Sequence, residues 1–155
     1  MSIIAISSLS SLIATSSFIG TDIIVKTIIN VSTNLINSVN YLKLISENDV
    51  DLQKLLIKSD ITHDILIIKS FIEENKNQSN TVLTCIDNLK NTLEDLEKNI
   101  NSITEKIKSH DNLWFKYFRS YNIEKEKGSI PILIENLRHR FNMVIKISSI
   151  TSHTS

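Results

Sequence analysis

Between Val82 and Ile107 the apolar residues Leu83, Ile86, Leu89, Leu93, Leu96, Ile100, Ile103 and Ile107 recur at intervals of three and four. This spacing is the seam of a long helix that buries a narrow stripe against other helices. It predicts a helix from Thr81 to about Ser109. Asp87, Lys90, Glu94, Asp95, Glu97 and Lys98 fall off the seam and predict a solvated face.

The same periodicity organises the rest of the chain. Ile24, Ile28, Val31, Leu35, Leu42 and Ile45 share one helical face, widened by Ile23, Ile29, Ile36 and Val39. They predict a helix over Asp22–Ile45 that is the centre of the core, with Thr21 or Asp22 as N-cap. Ser46-Glu47-Asn48-Asp49 stops it and starts another from Val50 to about Glu74, where Leu52, Leu55, Leu56, Ile65, Leu66, Ile68 and Ile72 are the apolar positions. Ser59-Asp60-Ile61-Thr62 either kinks this helix or divides it. Ser79 or Asn80 is placed to cap the seam helix. Beyond it come a turn at Ser109–Asn112, an aromatic-basic run Leu113-Trp114-Phe115-Lys116-Tyr117-Phe118-Arg119, and a charged loop, Glu124–Gly128. Ser129 then predicts the cap of a last helix with Pro131 in its first turn. Its apolar side is Ile130, Leu133, Ile134, Leu137, Phe141, Val144 and Ile145.

These elements predict an all-α, single-domain bundle of four or five helices over residues 22–147, with a short aromatic brace (Trp114, Phe115, Phe118) before the last helix. An uncharged, Ser-rich apolar segment, 1–21, precedes it, and a polar tail, 148–155, is expected to fray.

Composition supports the helices. With two Gly and one Pro in 155 residues, the chain lacks the usual turn residues of a multi-stranded sheet. The 28 Ile residues favour strands intrinsically, but no long Ile-containing stretch alternates with period two. The excess of Ile, Asn, Lys and Ser has the bias of an AT-rich genome. Cys85 is the single cysteine, so there is no disulfide framework and no cysteine-based zinc pattern. It is expected as a small buried hydrophobe beside the seam, in a reducing, cytoplasmic setting. The first 21 residues have no basic start for a signal peptide, and seven Ser among the first twenty make a poor spanning helix.

Charge divides the chain although the net charge is zero. Residues 47–105 hold six Lys against twelve acidic residues, a net −6, and residues 106–155 hold nine Lys or Arg against four acidic residues, a net +5. Either the two regions pair across neighbouring helices, or the basic end meets an anionic membrane or partner.

Motifs for catalysis are absent: no GxSxG, P-loop, GxGxxG, HExxH or EF-hand loop occurs. His63, His110, His139 and His153 are too scattered to predict a metal site, and no cofactor is expected. Carboxylate pairs such as Glu73-Glu74 fit a solvated helix surface. The chain is therefore read as non-enzymatic. Its aromatic run, with five of nine aromatics between Trp114 and Tyr121, has three readings. It plugs one end of the bundle, anchors at a membrane interface beside Lys116 and Arg119, or stacks on bases. Zero net charge ranks nucleic acid last. Arg138, Arg140 and Lys146 extend the basic set if packing brings them together.

In order and pattern, these features resemble the HeLo family of four-helix bundles, which includes MLKL-like N-terminal domains. The resemblance runs from about Asp22 to Ile147. It rests on the apolar DIIVKTIINVSTNLINSV helix, the LxxTLxxLExxI pattern of the seam helix, the Trp-Phe-Lys-Tyr-Phe-Arg stretch and the IxxLxxxF pattern of the last helix. It implies a membrane-acting or cell-death-modulating module that meets anionic lipid as a peripheral membrane protein, through an apolar N-terminus and basic residues. By position those residues are Lys116, Arg119, Arg138 and Arg140. The competing expectation is an interaction or assembly protein whose seam pairs with a helical partner or a second copy.

Overall fold

A computed structural model describes residues 3–76, 78–112 and 122–152, with side chains from residue 20 to 151 within them. The chain is an all-α bundle, and no strand occurs among the described residues. In chain order the helices are α1 (Ile3–Ile45), α2 (Val50–Lys58), α3 (Ile61–Glu74), α4 (Asn80–Asp111) and α5 (Glu124–Ser152).

The core is built from the stripes read in the sequence. Val25, Ile28, Val31, Leu35, Val39 and Leu42 of α1 are buried together with Leu52 and Leu56 of α2 and Ile61, Ile65, Ile68 and Ile72 of α3. From α4 come Val82, Ile86, Leu89, Leu93, Leu96, Ile100, Ile103 and Ile107, and Ile130, Ile134, Leu137 and Val144 of α5 complete it with Ile123 just before that helix. The described hydrophobic core is wholly aliphatic. Helix α4 packs mainly on α1 and α5, and α3 on α1. The buried Thr92 and Thr104 in α4 do not break its seam, because their hydroxyls donate to Asn88 O and Ile100 O one turn back.

Helix ends follow their local chemistry. Asp49 caps α2 by accepting the Leu52 amide at 3.0 Å, and Ser79 caps α4 by accepting the Val82 amide. The stretch at Ser59-Asp60 divides α2 from α3: Asp60 adopts φ 47° and ψ 34°, a left-handed conformation that Asp tolerates better than most residues. The seam supplies the common wall on which these pieces rest.

Several expectations are corrected. Helix α1 does not start at Asp22; it is continuous from Ile3, with no Pro to stop it, and Asp22 sits mid-helix paired with Lys26 at 2.6 Å. Glu124–Gly128 is not a loop but the first turns of α5, where Asn122 Oδ1 accepts the Glu124 amide and Glu124 and Glu126 complement the positive helix end. Ser129 therefore lies inside the helix, its hydroxyl donating to Lys125 O. Pro131 is also interior and exposed, so the carbonyl it leaves unbonded is on the solvated side. The tail stays helical to Ser152, supported by Ser149 and Thr151 hydroxyls donating to carbonyls one turn back.

Six positions differ in depth. Val82 begins the buried seam and Leu83 is only partly buried at its edge. Ile23, Leu66 and Ile145 face outward because each helix has a wider apolar arc than its neighbours cover. Cys85 is half-buried rather than enclosed. The aromatic brace (Trp114, Phe115, Phe118) lies outside the described residues.

Leu96, fully buried at the middle of the seam, is the most direct test of this core. Leu96→Ala is expected to lower unfolding free energy by about 2–5 kcal/mol, read as a shift of the urea midpoint. A loss under about 0.5 kcal/mol, the range of an exposed site, would contradict this packing.

Candidate interaction surface

Helix α5 places the predicted basic residues in different directions. Successive residues turn by about 100° on a helix, so Arg138 and Arg140 cannot share a face. Arg138 turns towards α3, where its Nε and Nη2 donate to Asp64 Oδ2 at 2.8 and 2.7 Å. The same Nη2 donates to Ser59 O at 2.7 Å. One guanidinium thus holds both sides of the α2–α3 break. One turn on, Phe141 meets Phe71 edge to face with centroids 5.5 Å apart. Arg140 turns towards α4 and donates to Asn88 O at 2.7 Å.

Lys146 is exposed on a third line of α5, with Lys125, Ile132, His139, Met143 and Ile150. This line winds along the outside of the bundle. It combines two lysines with three exposed apolar side chains. Lys116 and Arg119 lie outside the described residues.

Part of the charge asymmetry closes on itself. Lys127 Nζ lies 2.9 Å from Glu124 and 3.9 Å from the α2 cap Asp49. Its hydrogen bond to Glu124, helped by Asp49, raises its pKa above the ordinary lysine value. Lys106 on α4 bonds Glu126 on α5 at 2.6 Å, and this bond holds the Glu126 carboxyl below the usual range. Lys127–Asp49 and Arg138–Asp64 join the acidic middle of the chain to its basic end, whereas Lys106–Glu126 pairs two groups of the basic end.

Two grooves flank α4. One, of about 280 Å³ between α1 and α4, includes Ser38, Tyr41, Asn101 and Lys108 in its wall. There Ser38 Oγ donates to Asn101 Oδ1 at 3.0 Å and Lys108 Nζ lies 4.7 Å from the Tyr41 ring centre. These contacts fix α1 and α4 as parallel neighbours, and by their offset Asn80 lies level with about residue 17 of α1. The 43 residues of α1 therefore run on past the start of the 32-residue α4. The second groove, of about 290 Å³, lies between α4 and α5 and is lined by Cys85, Asn88, His139, Arg140 and Met143.

Among the described residues no three His, Cys, Asp or Glu side chains are placed to hold a metal ion. No described helix is long and apolar enough to cross a membrane. The buried seam residues from Ile86 to Ile107 are interior wall and not an open surface. Sequence reading missed the Arg138 tie to Ser59 O and the outward line of α5. The signal for the line was present, because Ile132, Met143 and Ile150 recur at helical spacing opposite the core residues.

Fold and surface together define an all-α helical bundle with one long helix extended beyond its neighbour. No family model matches the chain, and no solved structure matches it. It is similar to "Uncharacterized protein L717" of Acanthamoeba polyphaga mimivirus, at 35% identity over 69 residues, covering 44% of this chain and 34% of the relative. The match thus spans about a third of that relative's length.

Two measurements test the ties of α5. The Arg138–Asp64 pair is part-exposed, so a double-mutant cycle of Arg138→Gln and Asp64→Asn is expected to give a coupling of about 0.5–1 kcal/mol. Zero coupling would remove the pair as a tie. The lowered Glu126 pKa stabilises the fold fully above the ordinary glutamate value, and this contribution is lost as pH falls through the lowered value. Over that acid window Glu126→Gln is expected to show a shallower fall in Tm with decreasing pH than the parent. Parallel curves would exclude the contribution.

Proposed function

We propose that this chain is a non-enzymatic helical-bundle module that acts at an anionic membrane surface, in the manner implied by its resemblance to HeLo/MLKL-like domains. The observation that carries this reading is α1. Its residues 3–21 contain no charge and continue, as one helix, the segment that packs in the core.

A long, uncharged and largely apolar sequence favours contact with another apolar phase. The serines within it suit a helix lying at an interface better than one spanning the hydrocarbon. The outer line of α5 supports the same reading, with Lys125 and Lys146 near Ile132, Met143 and Ile150. Lysine attracts anionic headgroups, whereas Arg138 and Arg140 are already bonded within the bundle. Lipid contact in this reading therefore rests on lysines more than on those arginines, with Lys116 and Arg119 as further contributors.

A second reading, contact with a helical partner or a second copy, is favoured by the α3–α5 edge. Ile67 on α3 and Ile145 on α5 remain 44% and 39% exposed there.

Co-sedimentation with phosphatidylserine-containing vesicles is expected to recover the full chain, with neutral phosphatidylcholine vesicles recovering little. Dye release is the second readout, and removal of residues 1–19 is expected to reduce both. Equal recovery on the two vesicle types without leakage overturns the membrane reading. A stable dimer by light scattering that neither vesicle type disrupts favours the second.

A further inference from the structure

We propose that the groove between α4 and α5 is a binding site for a soft monovalent metal ion of the Cu(I) or Ag(I) class, held by Cys85, His139 and Met143. All three line one cavity of about 290 Å³. They come from two helices whose register is fixed by the Arg140 bond to Asn88 O at 2.7 Å. In these antiparallel helices, a step of three residues from Asn88 back to Cys85 matches the step from Arg140 on to Met143. Cys85 and Met143 therefore stand at one level across the groove. His139 lies four residues before Met143, so imidazole and thioether share one face of α5.

The donor set selects the metal. Thiolate and thioether sulfur favour Cu(I), imidazole binds it as well, and hard ions need carboxylates or carbonyl cages. No carboxylate lines this groove. Asn88 has its carbonyl engaged by Arg140, whose guanidinium is thereby tied to α4. On binding, the Cys85 thiol releases its proton to solvent, and the resulting thiolate neutralises the single charge of the ion. Cys85 is half-buried and His139 and Met143 are exposed, so the ligands are reachable from solvent without unfolding.

The site shares His139 and Met143 with the outer line of α5 but does not require membrane contact, and its test reads metal directly. Under anaerobic, reducing conditions the full chain is titrated with Cu(I) against the chromogenic competitor bicinchoninate. One equivalent is expected to bind. Cys85→Ser is expected to abolish this binding, and His139→Asn and Met143→Ile to weaken it by about tenfold or more, with helicity unchanged by circular dichroism. Lys146→Gln, one turn away, is expected to leave it unaltered. One equivalent of Ag(I) is also expected to slow alkylation of Cys85 by N-ethylmaleimide in the parent, but less in Met143→Ile. Binding lost in Cys85→Ser yet unmoved in both other variants means an isolated thiol and overturns the site. So does the absence of Cu(I) binding, or Zn(II) binding of equal strength.

Discussion

The eight-residue seam of α4 is the constraint on which the other helices depend. Its positions alternate by four and three, so over 32 residues the apolar stripe stays nearly straight along the helix and can be covered on both sides. Helix α1 covers one side and α5 the other. Neither α2 nor α3, at nine and fourteen residues, has comparable length. Short helices are marginal without tertiary packing. The stability of that pair therefore comes from laying Leu52, Leu56, Ile61, Ile65, Ile68 and Ile72 into the same core.

Polar chemistry is arranged mainly around this wall, although the Ser32 hydroxyl of α1 is buried without a hydrogen-bond partner among the described residues. Thr92, Thr104 and Ser46 are buried but return their hydroxyls to their own helix, where a carbonyl one turn back satisfies each. Charged groups work at the rims. Arg138 joins α5 to the α2–α3 break, Lys127 joins it to the α2 cap, and Lys106 joins α4 to α5. Each such pair is worth little alone at an exposed position. Their geometric effect is to set how α5 sits against pieces that hydrophobic burial, which has no directional preference, leaves free to slide.

Those ties change what the charge pattern means. A chain acidic in its middle and basic at its end invites a reading of electrostatic attraction to an external surface. Within the bundle, Asp49 and Asp64 meet Lys127 and Arg138, so part of the asymmetry is paired between neighbouring helices. What faces outward includes a mixed line on α5, and the α1 segment before Asp22 carries no charge. Contact with lipid or a partner then depends on apolar area assisted by lysine, more than on an arginine cluster. The α4–α5 groove shares His139 and Met143 with that line, but its own character comes from sulfur and imidazole.

By itself, the sequence determined the all-α class, the seam from Ile86 to Ile107 and a weak point at Ser59–Thr62, and narrowed the caps to Ser46 or Asp49 and Ser79 or Asn80, of which the structure uses Asp49 and Ser79. Each depends on residues close in the chain: helical periodicity, a side-chain oxygen three residues from an amide, a run poor in good helix formers. Tertiary structure decided which arc of each broad stripe is covered, leaving Ile23, Leu66 and Ile145 outside and drawing Val82 in. It also decided that Arg138 and Arg140 are bonded in opposite directions, and that Cys85 faces Met143 across a groove. Those outcomes depend on the rotation and register of one helix against another. Many registers bury similar apolar area, and long-range contacts choose among them.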